Sequence, residues 1–308
     1  MLKQARYELV EVGEEFGPID EVVDDFMIKR FAFQMDDYHP WCFGESPFGK
    51  RIGHAAILGN ELLQLFTTVY DPNTVVGLHT QEELWFHNPV FCGERVRLLG
   101  KYVEKYERRG KCYVVMEAEA RGEDGRLLLH HRGIEIMRIQ PGPVVGRSTA
   151  EVVENRVTGE YRRDLEPVTT ARPGLAPNTP VAPLTKEIHQ DQIAVFSRVG
   201  RHLKNIHTDL EVARQGGLRT TLAQGMMEFI YGTELLTRFF GASWFTSGWQ
   251  KIKFLRPVFE GDAVTTRAVV TGETREGDGT RLELEVWVEN AQGEMTAAGW
   301  ASAIAPAA

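Results

Sequence analysis

The chain contains two copies of one sequence unit, and this repeat limits the possible folds more than any other feature. The segment from Phe86 to Glu94 matches the segment from Phe254 to Asp262 at an offset of 168 residues, with Phe, Pro-Val-Phe, Gly and an acid in the same places. Two further pairs match at offsets of 165 and 170 residues: Phe31–Asp37 with Phe196–His202, and Ile52–Ala55 with Leu222–Gly225. A nearly constant offset indicates a duplicated unit.

The composition excludes several classes of protein. With 308 residues, 43% of them hydrophobic, the chain can bury a large core. Its net charge of −8 argues against a nucleic-acid or anionic-membrane surface. Apolar runs such as Leu62 to Val69 are too short to span a bilayer, and the start lacks the apolar core of a signal peptide. We therefore expect a cytoplasmic protein that binds neither nucleic acid nor membrane.

The chain has three cysteines, Cys42, Cys92 and Cys112, and their pattern does not indicate a disulfide framework. Their number is odd and no C-x-x-C spacing occurs, so we expect neither a disulfide set nor a cysteine-rich zinc site. His130 and His131 are neighbours on an alternating strand and should face opposite sides, which prevents the pair from binding one metal ion. We expect no metal site.

Each copy shows the same order of elements. A short helix and a polar stretch precede one long apolar helix, which we expect over 55–69 in the first copy and 226–240 in the second. Strands with alternating apolar residues follow, separated by Gly-containing turns typical of hairpins. The expected strands are 96–106, 111–120 and 127–137, then 263–271, 281–289 and 295–304. The pattern predicts an α+β fold in which two antiparallel sheets are each wrapped around a long central helix.

The proline-rich stretch between the copies predicts an extended linker. It contains seven prolines between residues 141 and 183. We therefore expect three parts: an N-terminal repeat over 1–140, a linker over 141–183 and a C-terminal repeat over 184–308. A linker of this length can cross the molecule, which edge-to-edge pairing of the two sheets would require.

The second copy carries a motif whose residue types can take part in catalysis. It reads Ile206-His207-Thr208-Asp209, with Ala213 four residues later, and then Leu222-Ala223-Gln224-Gly225-Met226. These residues resemble the MaoC-like, or (R)-specific enoyl-CoA hydratase, branch of the hotdog superfamily, whose pattern is close to S-G-D-x-N-P-[IL]-H-x-D-x-x-x-A followed by [IL]-A-H-G-M. Two copies in one chain resemble the double-hotdog members of that family.

The resemblance implies a hydro-lyase. An Asp and the His five residues later hold the water that adds to the double bond of an enoyl thioester, since one group takes a proton and the other delivers one. In this chain His207 keeps the family histidine and His202 occupies the Asp position. The first copy keeps Asp37, while Cys42 replaces the histidine.

Three hypotheses follow for the catalytic groups. In the first, His207 and His202 bind the water as a pair of imidazoles, of which one stays neutral as the base. In the second, the first copy supplies the chemistry through Asp37 and His39. In the third, the protein binds acyl thioesters without hydrating them, or catalyses another reaction such as thioester hydrolysis.

Further residues follow from the resemblance as candidates for substrate binding. Gly225 lies where the family's backbone N–H points at the thioester carbonyl, at the start of the long helix; Ala55 has this place in the first copy. The remaining candidates are polar residues beside this position or in the motif: Gln224, His54, Asp209, Arg219 and Asp37. Asp209 can also act as a local cap, and Arg219, with Lys204 and Arg201, can meet CoA phosphates or form a solvated basic rim.

The predicted function is reversible hydration of a trans-2-enoyl-CoA to its (R)-3-hydroxyacyl form, or the reverse dehydration. The expected partner is an acyl-CoA or acyl-carrier-protein thioester, and no cofactor is expected because this reaction needs none. A homodimer is left open, since such units commonly pair again.

Overall fold

The computed structural model describes residues 2–74, 77–139, 157–198, 204–215 and 217–306. Its strands, in chain order, are β1 Lys3–Gln4, β2 Glu15–Val23, β3 Tyr70–Asp71, β4 Leu78–Phe86, β5 Glu94–Arg108, β6 Lys111–Gly122, β7 Leu127–Ile139, β8 Thr179–Pro180, β9 Leu184–Glu187, β10 Trp249–Phe254, β11 Ala263–Glu276, β12 Gly279–Asn290 and β13 Met295–Ile304. The α-helices are α1 Asp25–Met35, α2 Gly59–Leu63, α3 Gln190–Phe196, α4 Leu210–Gln215, α5 Gly225–Phe240 and α6 Trp244–Ser247.

One antiparallel sheet of eleven strands runs through the described part of both copies. Its order is β2-β5-β6-β7-β4-β10-β13-β12-β11-β8, and β9 also pairs with β11. The order is nearly a mirror image about its centre, where β4 of the first copy pairs with β10 of the second, from Trp85↔Trp249 to Gln81↔Lys253. The two halves therefore join edge to edge, and the fold is the double hotdog that the repeat predicts.

The hairpin strands follow the sequence pattern closely. The strand expected over 295–304 appears with those bounds as β13. The others extend a few residues beyond their expected ends, as in β11, which continues to Glu276 because the two-residue turn Gly277-Asp278 lets Glu276 pair with Gly279. Alternating apolar residues and glycine-containing turns were sufficient to place these strands.

Helix α5 is the long central helix expected in the second copy. It has sixteen residues, all buried except Gly225 and Arg238. Such a helix, apolar around most of its circumference, is stable only inside a core. It packs against β11, β12 and β13 on one side and against β4 and β10 at the centre of the sheet.

The prediction of an equally long helix over 55–69 in the first copy is wrong. Residues 55–58 form turns, α2 ends at Leu63, and Gln64–Thr68 continue as a 3-10 helix. The hydroxyl groups of Thr67 and Thr68 donate to backbone carbonyls three residues earlier, at 2.8 Å in each case. Such bonds compete with the regular helix pattern, which explains why the apolar run does not complete a long helix.

The described part of the linker, residues 157–183, follows the second copy's sheet. Val157 and Tyr161 pack on Trp287, and Glu285 accepts hydrogen bonds from the backbone N–H (2.9 Å) and the hydroxyl (2.8 Å) of Thr158. Further along, Thr179–Pro180 pair with β11. The rest of the predicted linker, residues 141–156, lies outside the described residues.

Candidate active site

His207 is held in one tautomer by a backbone carbonyl. Its Nδ1 lies 2.6 Å from the carbonyl oxygen of Leu222, and because a carbonyl only accepts, Nδ1 carries the proton. The side chain is half-buried, and burial lowers the pKa of the imidazole. A neutral ring with Nδ1 protonated leaves Nε2 with a lone pair. His207 therefore has the form required of a general base.

The loop that carries His207 is held in place by hydrogen bonds on both sides. Gln190 of α3 donates from Nε2 to the His207 carbonyl at 3.1 Å, and the Asn205 side chain accepts from the His207 N–H at 2.9 Å. Leu222 also donates its N–H to the Ile206 carbonyl at 3.1 Å. Since Leu222 lies three residues before Gly225, these bonds hold the imidazole close to the start of α5.

Gly225 is the first residue of α5, as the motif predicts. The first N–H groups of a helix have no acceptor within it, and the aligned peptide dipoles add partial positive charge there. A Cβ atom added at Gly225 would lie 2.9 Å from atoms of the Phe254 ring, so the residue packs directly against this ring. The absence of a side chain permits this close approach of ring and backbone.

Gln224 and Ser197 connect the helix start to α3. Gln224 is the N-cap of α5, and its Nε2 donates to the Ser197 hydroxyl. The Gln224 Oε1 atom is buried without a hydrogen-bond partner among the described residues. The side chain thus fixes the helix start and retains one unused acceptor.

Asp209 and Arg219 make local contacts instead of pointing into an open site. Asp209 caps α4, where its Oδ1 accepts from the N–H groups of Glu211 and Val212 at 3.0 Å each, and its Oδ2 lies 3.1 Å from Lys204. The Val212 hydrogen bond and then Lys204 lower the pKa of Asp209. Arg219 is paired with Asp262 and covers the Phe259 ring at 4.4 Å.

His202 and Arg201 lie outside the described residues. The pairing of His202 with His207 stays a prediction.

The corresponding place in the first copy is built from Asp37 and His54. The His54 Nε2 atom lies 2.8 Å from the Asp37 carbonyl oxygen and 3.8 Å from the Asp37 carboxylate. Burial lowers the pKa of His54, and Asp37 opposes this. Asp37 Oδ1 and His54 Nδ1 are buried without hydrogen-bond partners among the described residues. His39, the histidine of the second catalytic hypothesis, accepts from the Trp41 N–H at 3.4 Å.

The space beside these groups is small. Asp37, Cys42, His54 and Ala55 line a cavity of about 10 Å³ that the side chain of Glu234, from α5, also reaches, and this is about the room of one water molecule. Burial, followed by the charge of Asp37, raises the pKa of Glu234 to about 7. Acid–base groups are present here, but the space is that of a water and not of an acyl thioester.

Two contacts around the second site were not foreseen from the sequence. Gln190 holds the His207 loop, and Phe254 closes against Gly225. Phe254 belongs to the repeated Phe-x-x-Pro-Val-Phe segment, so the repeat was a signal for it. Nothing in the sequence singles out Gln190, because its role depends on how α3 packs.

Comparison with known proteins decides the family of the second half. Residues 169–292 match the family model described as MaoC like domain. The C-terminal half carries a MaoC-like domain. The fold of the whole chain is shared with a MaoC-like dehydratase at a TM-score of 0.75 and 13% identity, over 98% of this chain and 100% of that one.

Two other solved structures support the same MaoC-like fold. A MaoC-like dehydratase from Phytophthora capsici superposes with a TM-score of 0.65 at 13% identity, covering 96% of this chain and 98% of that one. A conserved hypothetical protein from Mycobacterium tuberculosis described as having a double hotdog fold gives 0.65 at 14% identity, with 97% of both chains covered. Among curated proteins, none matches this chain. The double hotdog fold and its MaoC-like domain are thus established, and the reaction of this chain is a separate question.

Two kinds of feature are absent from the described residues. These residues contain no group of three or more His, Cys, Asp or Glu side chains placed to hold a metal ion. Within the same ranges, no helix is long and apolar enough to cross a membrane.

Proposed function

We propose that the protein is a hydro-lyase that reversibly hydrates a trans-2-enoyl thioester to the (R)-3-hydroxyacyl thioester, with its active site in the MaoC-like second copy. The observation that carries the proposal is the Leu222 carbonyl, which fixes Nδ1–H of His207 and leaves Nε2 as a base close to the start of α5. Hydration requires a base and an oxyanion site close to each other.

The proposed reaction uses these groups in order. Nε2 of His207 takes a proton from water, and the oxygen of that water forms a bond to C3 of the substrate. The electrons of the double bond move to the thioester oxygen, where the N–H groups at Gly225 and the helix dipole stabilise the developing enolate. A proton then returns to C2, for which His202 is the proposed donor, and no electron acceptor or cofactor is needed.

The small first-copy cavity supports this choice of site. Asp37 and His54 are buried around about 10 Å³, and His39 is engaged with the Trp41 backbone. We therefore assign the chemistry to His207 and not to the pair Asp37 and His39. The substrate is proposed to be a CoA or carrier-protein thioester in the cytoplasm.

The test is to incubate the protein with trans-2-enoyl-CoA substrates and follow the enoyl absorbance, free thiol and product configuration. We expect loss of absorbance without thiol release, giving the (R)-3-hydroxyacyl product. His207→Ala should lower kcat/KM by about 10² to 10⁴ because the base is lost. His189→Ala is the matched control, since His189 is an exposed histidine of the same half.

Three outcomes would contradict the proposal. Thiol release would identify a thioesterase, and binding without either signal would identify an acyl-thioester binding protein. An unchanged rate in His207→Ala would remove the proposed base. For the donor, near-normal turnover in His202→Ala would exclude the paired-imidazole hypothesis.

A further inference from the structure

A carboxylate lies buried between two histidines near the seam of the two copies. Glu82 of β4 has 0% of its surface exposed, and its Oε1 atom lies 2.8 Å from Nε2 of His131, on β7. Its Oε2 atom lies 2.9 Å from Nε2 of His79, which is on β4 as well. The proposed reaction uses none of these three groups. Because buried charges are stable only when they are paired, Glu82 and the two imidazoles form one unit.

A β-bulge turns His79 towards Glu82. On a regular strand, residues three apart point to opposite faces of the sheet. The pairing of β4 with β7 shifts between His79 and Gln81, so Thr80 is an extra residue, and its hydroxyl donates to the Ile134 carbonyl at 2.8 Å. The extra residue places the side chains of His79 and Glu82 on the same face. Bulges are often found near functional sites, where they redirect a side chain in this way.

The surroundings of His79 favour its protonated form. Its Nε2 atom lies beside two acceptors, the Glu82 carboxylate and, at 3.0 Å, the Gln81 carbonyl oxygen, so this nitrogen carries a proton. Glu135 of β7 is the residue opposite His79 in the strand pairing. Burial lowers the pKa of His79, but the contact with Glu82 and the charges of Glu82 and Glu135 outweigh burial and raise the pKa above its usual value. The cluster therefore stabilises an imidazolium.

On the other side of β4, the neighbour of His79 is an aromatic ring. The ring centroid of Phe254, on β10, lies 4.8 Å from that of His79, with 59° between the ring planes. Helix α5 also packs against β4, and its first-turn acid, Glu228, is bonded to Thr296 of β13. A cation within about 6 Å of an aromatic ring is attracted to the π electrons of that ring. His79 thus connects the buried carboxylate to the Phe254 ring.

The Phe254 ring also borders the start of α5. Its atoms lie 2.9 Å from the position of a Cβ atom at Gly225, and the N–H groups of this turn are the proposed oxyanion donors. The pairing of β10 with β4 ends one residue before Phe254, at Lys253. The orientation of the ring on this side therefore depends on its side-chain contacts, among them the contact with His79.

We propose that the imidazolium of His79 is a positioning residue for the active site, because it holds the Phe254 ring against Gly225 and thereby keeps the first N–H groups of α5 in place for the thioester oxygen. The first copy then contributes to the reaction through this contact and not through a catalytic group of its own. The effect on turnover rests on the hydro-lyase function proposed above, whereas the position of the ring can be measured without substrate.

The kinetic test is a double-variant cycle. We expect His79→Gln to lower kcat about 5- to 30-fold, which corresponds to a desolvated cation–π contact, with KM nearly unchanged because the oxyanion donors act in the transition state. In a Phe254→Leu background, the same change should alter kcat less than about 2-fold, since the ring is gone. His79→Lys keeps a cation and should lower kcat less than His79→Gln does.

His130→Gln is the matched control for this cycle. His130 is also a strand histidine that contacts an aromatic ring, since it stacks on Trp85 with 4.7 Å between the ring centroids. It precedes His131 on β7, so it faces the opposite side of the sheet from the Glu82 cluster. We expect this variant to leave kcat unchanged.

The test without substrate is NMR of protein labelled with [15N]glycine, in which the signal of Gly225 is identified by its absence in Gly225→Ala. As pH rises through the pKa of His79, the imidazolium is lost, and the Gly225 N–H signal should shift with a midpoint above about pH 6.5. His79→Gln and Phe254→Leu should each remove this transition. A transition caused by His207, whose pKa is lowered by burial, should remain below it.

Three results would overturn the proposal: additive losses of kcat in the cycle, equal kcat in His79→Lys and His79→Gln, or a Gly225 transition that persists in His79→Gln. If wild type hydrates no substrate, the proposed function fails, and the Gly225 titration still decides whether His79 positions the ring. If His79→Gln does not fold, His79→Lys takes its place in the titration, because lysine stays charged up to about pH 10 and should also remove the transition.

Discussion

A single carbonyl group determines what His207 can do. Because the Leu222 oxygen takes the proton of Nδ1, the imidazole is oriented and Nε2 is left as the reactive nitrogen. The sequence motif predicts His207 and Gly225 as site residues. It could not identify the carbonyl, since backbone atoms carry no residue identity and their positions follow from the fold.

Glu228 is a buried acid in the first turn of α5 that the proposed reaction does not use. It is 4% exposed, and burial raises its pKa to about 8 against a weaker opposing hydrogen bond from Thr296. The unfolded chain releases this proton near pH 4.3. Between about pH 4.3 and pH 8 the unfolded state binds fewer protons than the folded state, so this group lowers the free energy of unfolding as pH rises.

We therefore expect Glu228→Gln to stabilise the protein at alkaline pH. The gain in the free energy of unfolding should be on the order of 2–4 kcal/mol at pH 8 and below about 1 kcal/mol at pH 4.5. Urea unfolding at both pH values measures it, with Glu211→Gln, an exposed acid in the first turn of α4, as control. A variant less stable than wild type at pH 8 would show that the carboxylate is required.

At the scale of elements, the hairpins were predictable and the first copy's helix was not. Strand alternation and glycine turns are local signals, and they placed β5 to β7 and β11 to β13. The helix expected over 55–69 has apolar residues in the right places, but its length depends on threonine side chains and on the crossing of Gly59 with Met226. Such crossings are tertiary, so apolar periodicity did not reveal them.

The packing at the start of α5 predicts whether Gly225→Ala raises or lowers the stability of the protein. In an unpacked first turn, Gly→Ala would stabilise a helix by up to about 1 kcal/mol. At Gly225 the new methyl group would press on the Phe254 ring, 2.9 Å away. We therefore expect Gly225→Ala to lower the free energy of unfolding by about 1–3 kcal/mol through overpacking, and to reduce turnover by displacing the oxyanion donor.

A smaller side chain in place of the ring provides the control. Adding Phe254→Leu to Gly225→Ala should recover part of the lost stability, because it makes room for the methyl group. Denaturant titrations of both single variants and the double variant form the cycle. Purely additive losses would mean that the ring does not restrict this position.

At the scale of the whole molecule, the decisive feature is the seam between β4 and β10. The repeat predicted two matched halves, and a linker that could cross the molecule allowed edge-to-edge pairing. The identity of the seam strands was not predicted, because neither Leu78–Phe86 nor Trp249–Phe254 was assigned as a strand. Long-range pairing is not encoded in local pattern.

The seam predicts that the halves depend on each other. A fragment of residues 1–140 and a fragment of residues 157–308 would each expose the unpaired edge of a central strand, β4 or β10, which promotes aggregation. We expect each fragment to be largely insoluble when produced alone and to form a soluble one-to-one complex when both are produced together. Co-purification with a tag on one fragment tests this, and a soluble monomeric single half would contradict it.

The joining of the two halves in one chain also affects how such a protein can evolve. In a dimer of identical subunits, each mutation changes both pockets at once, so neither pocket can lose its chemistry without the other. In the fused chain a substitution alters one half only. The replacement of the motif histidine by Cys42, and the shortening of the neighbouring helix, could accumulate in the first half while the second kept His207.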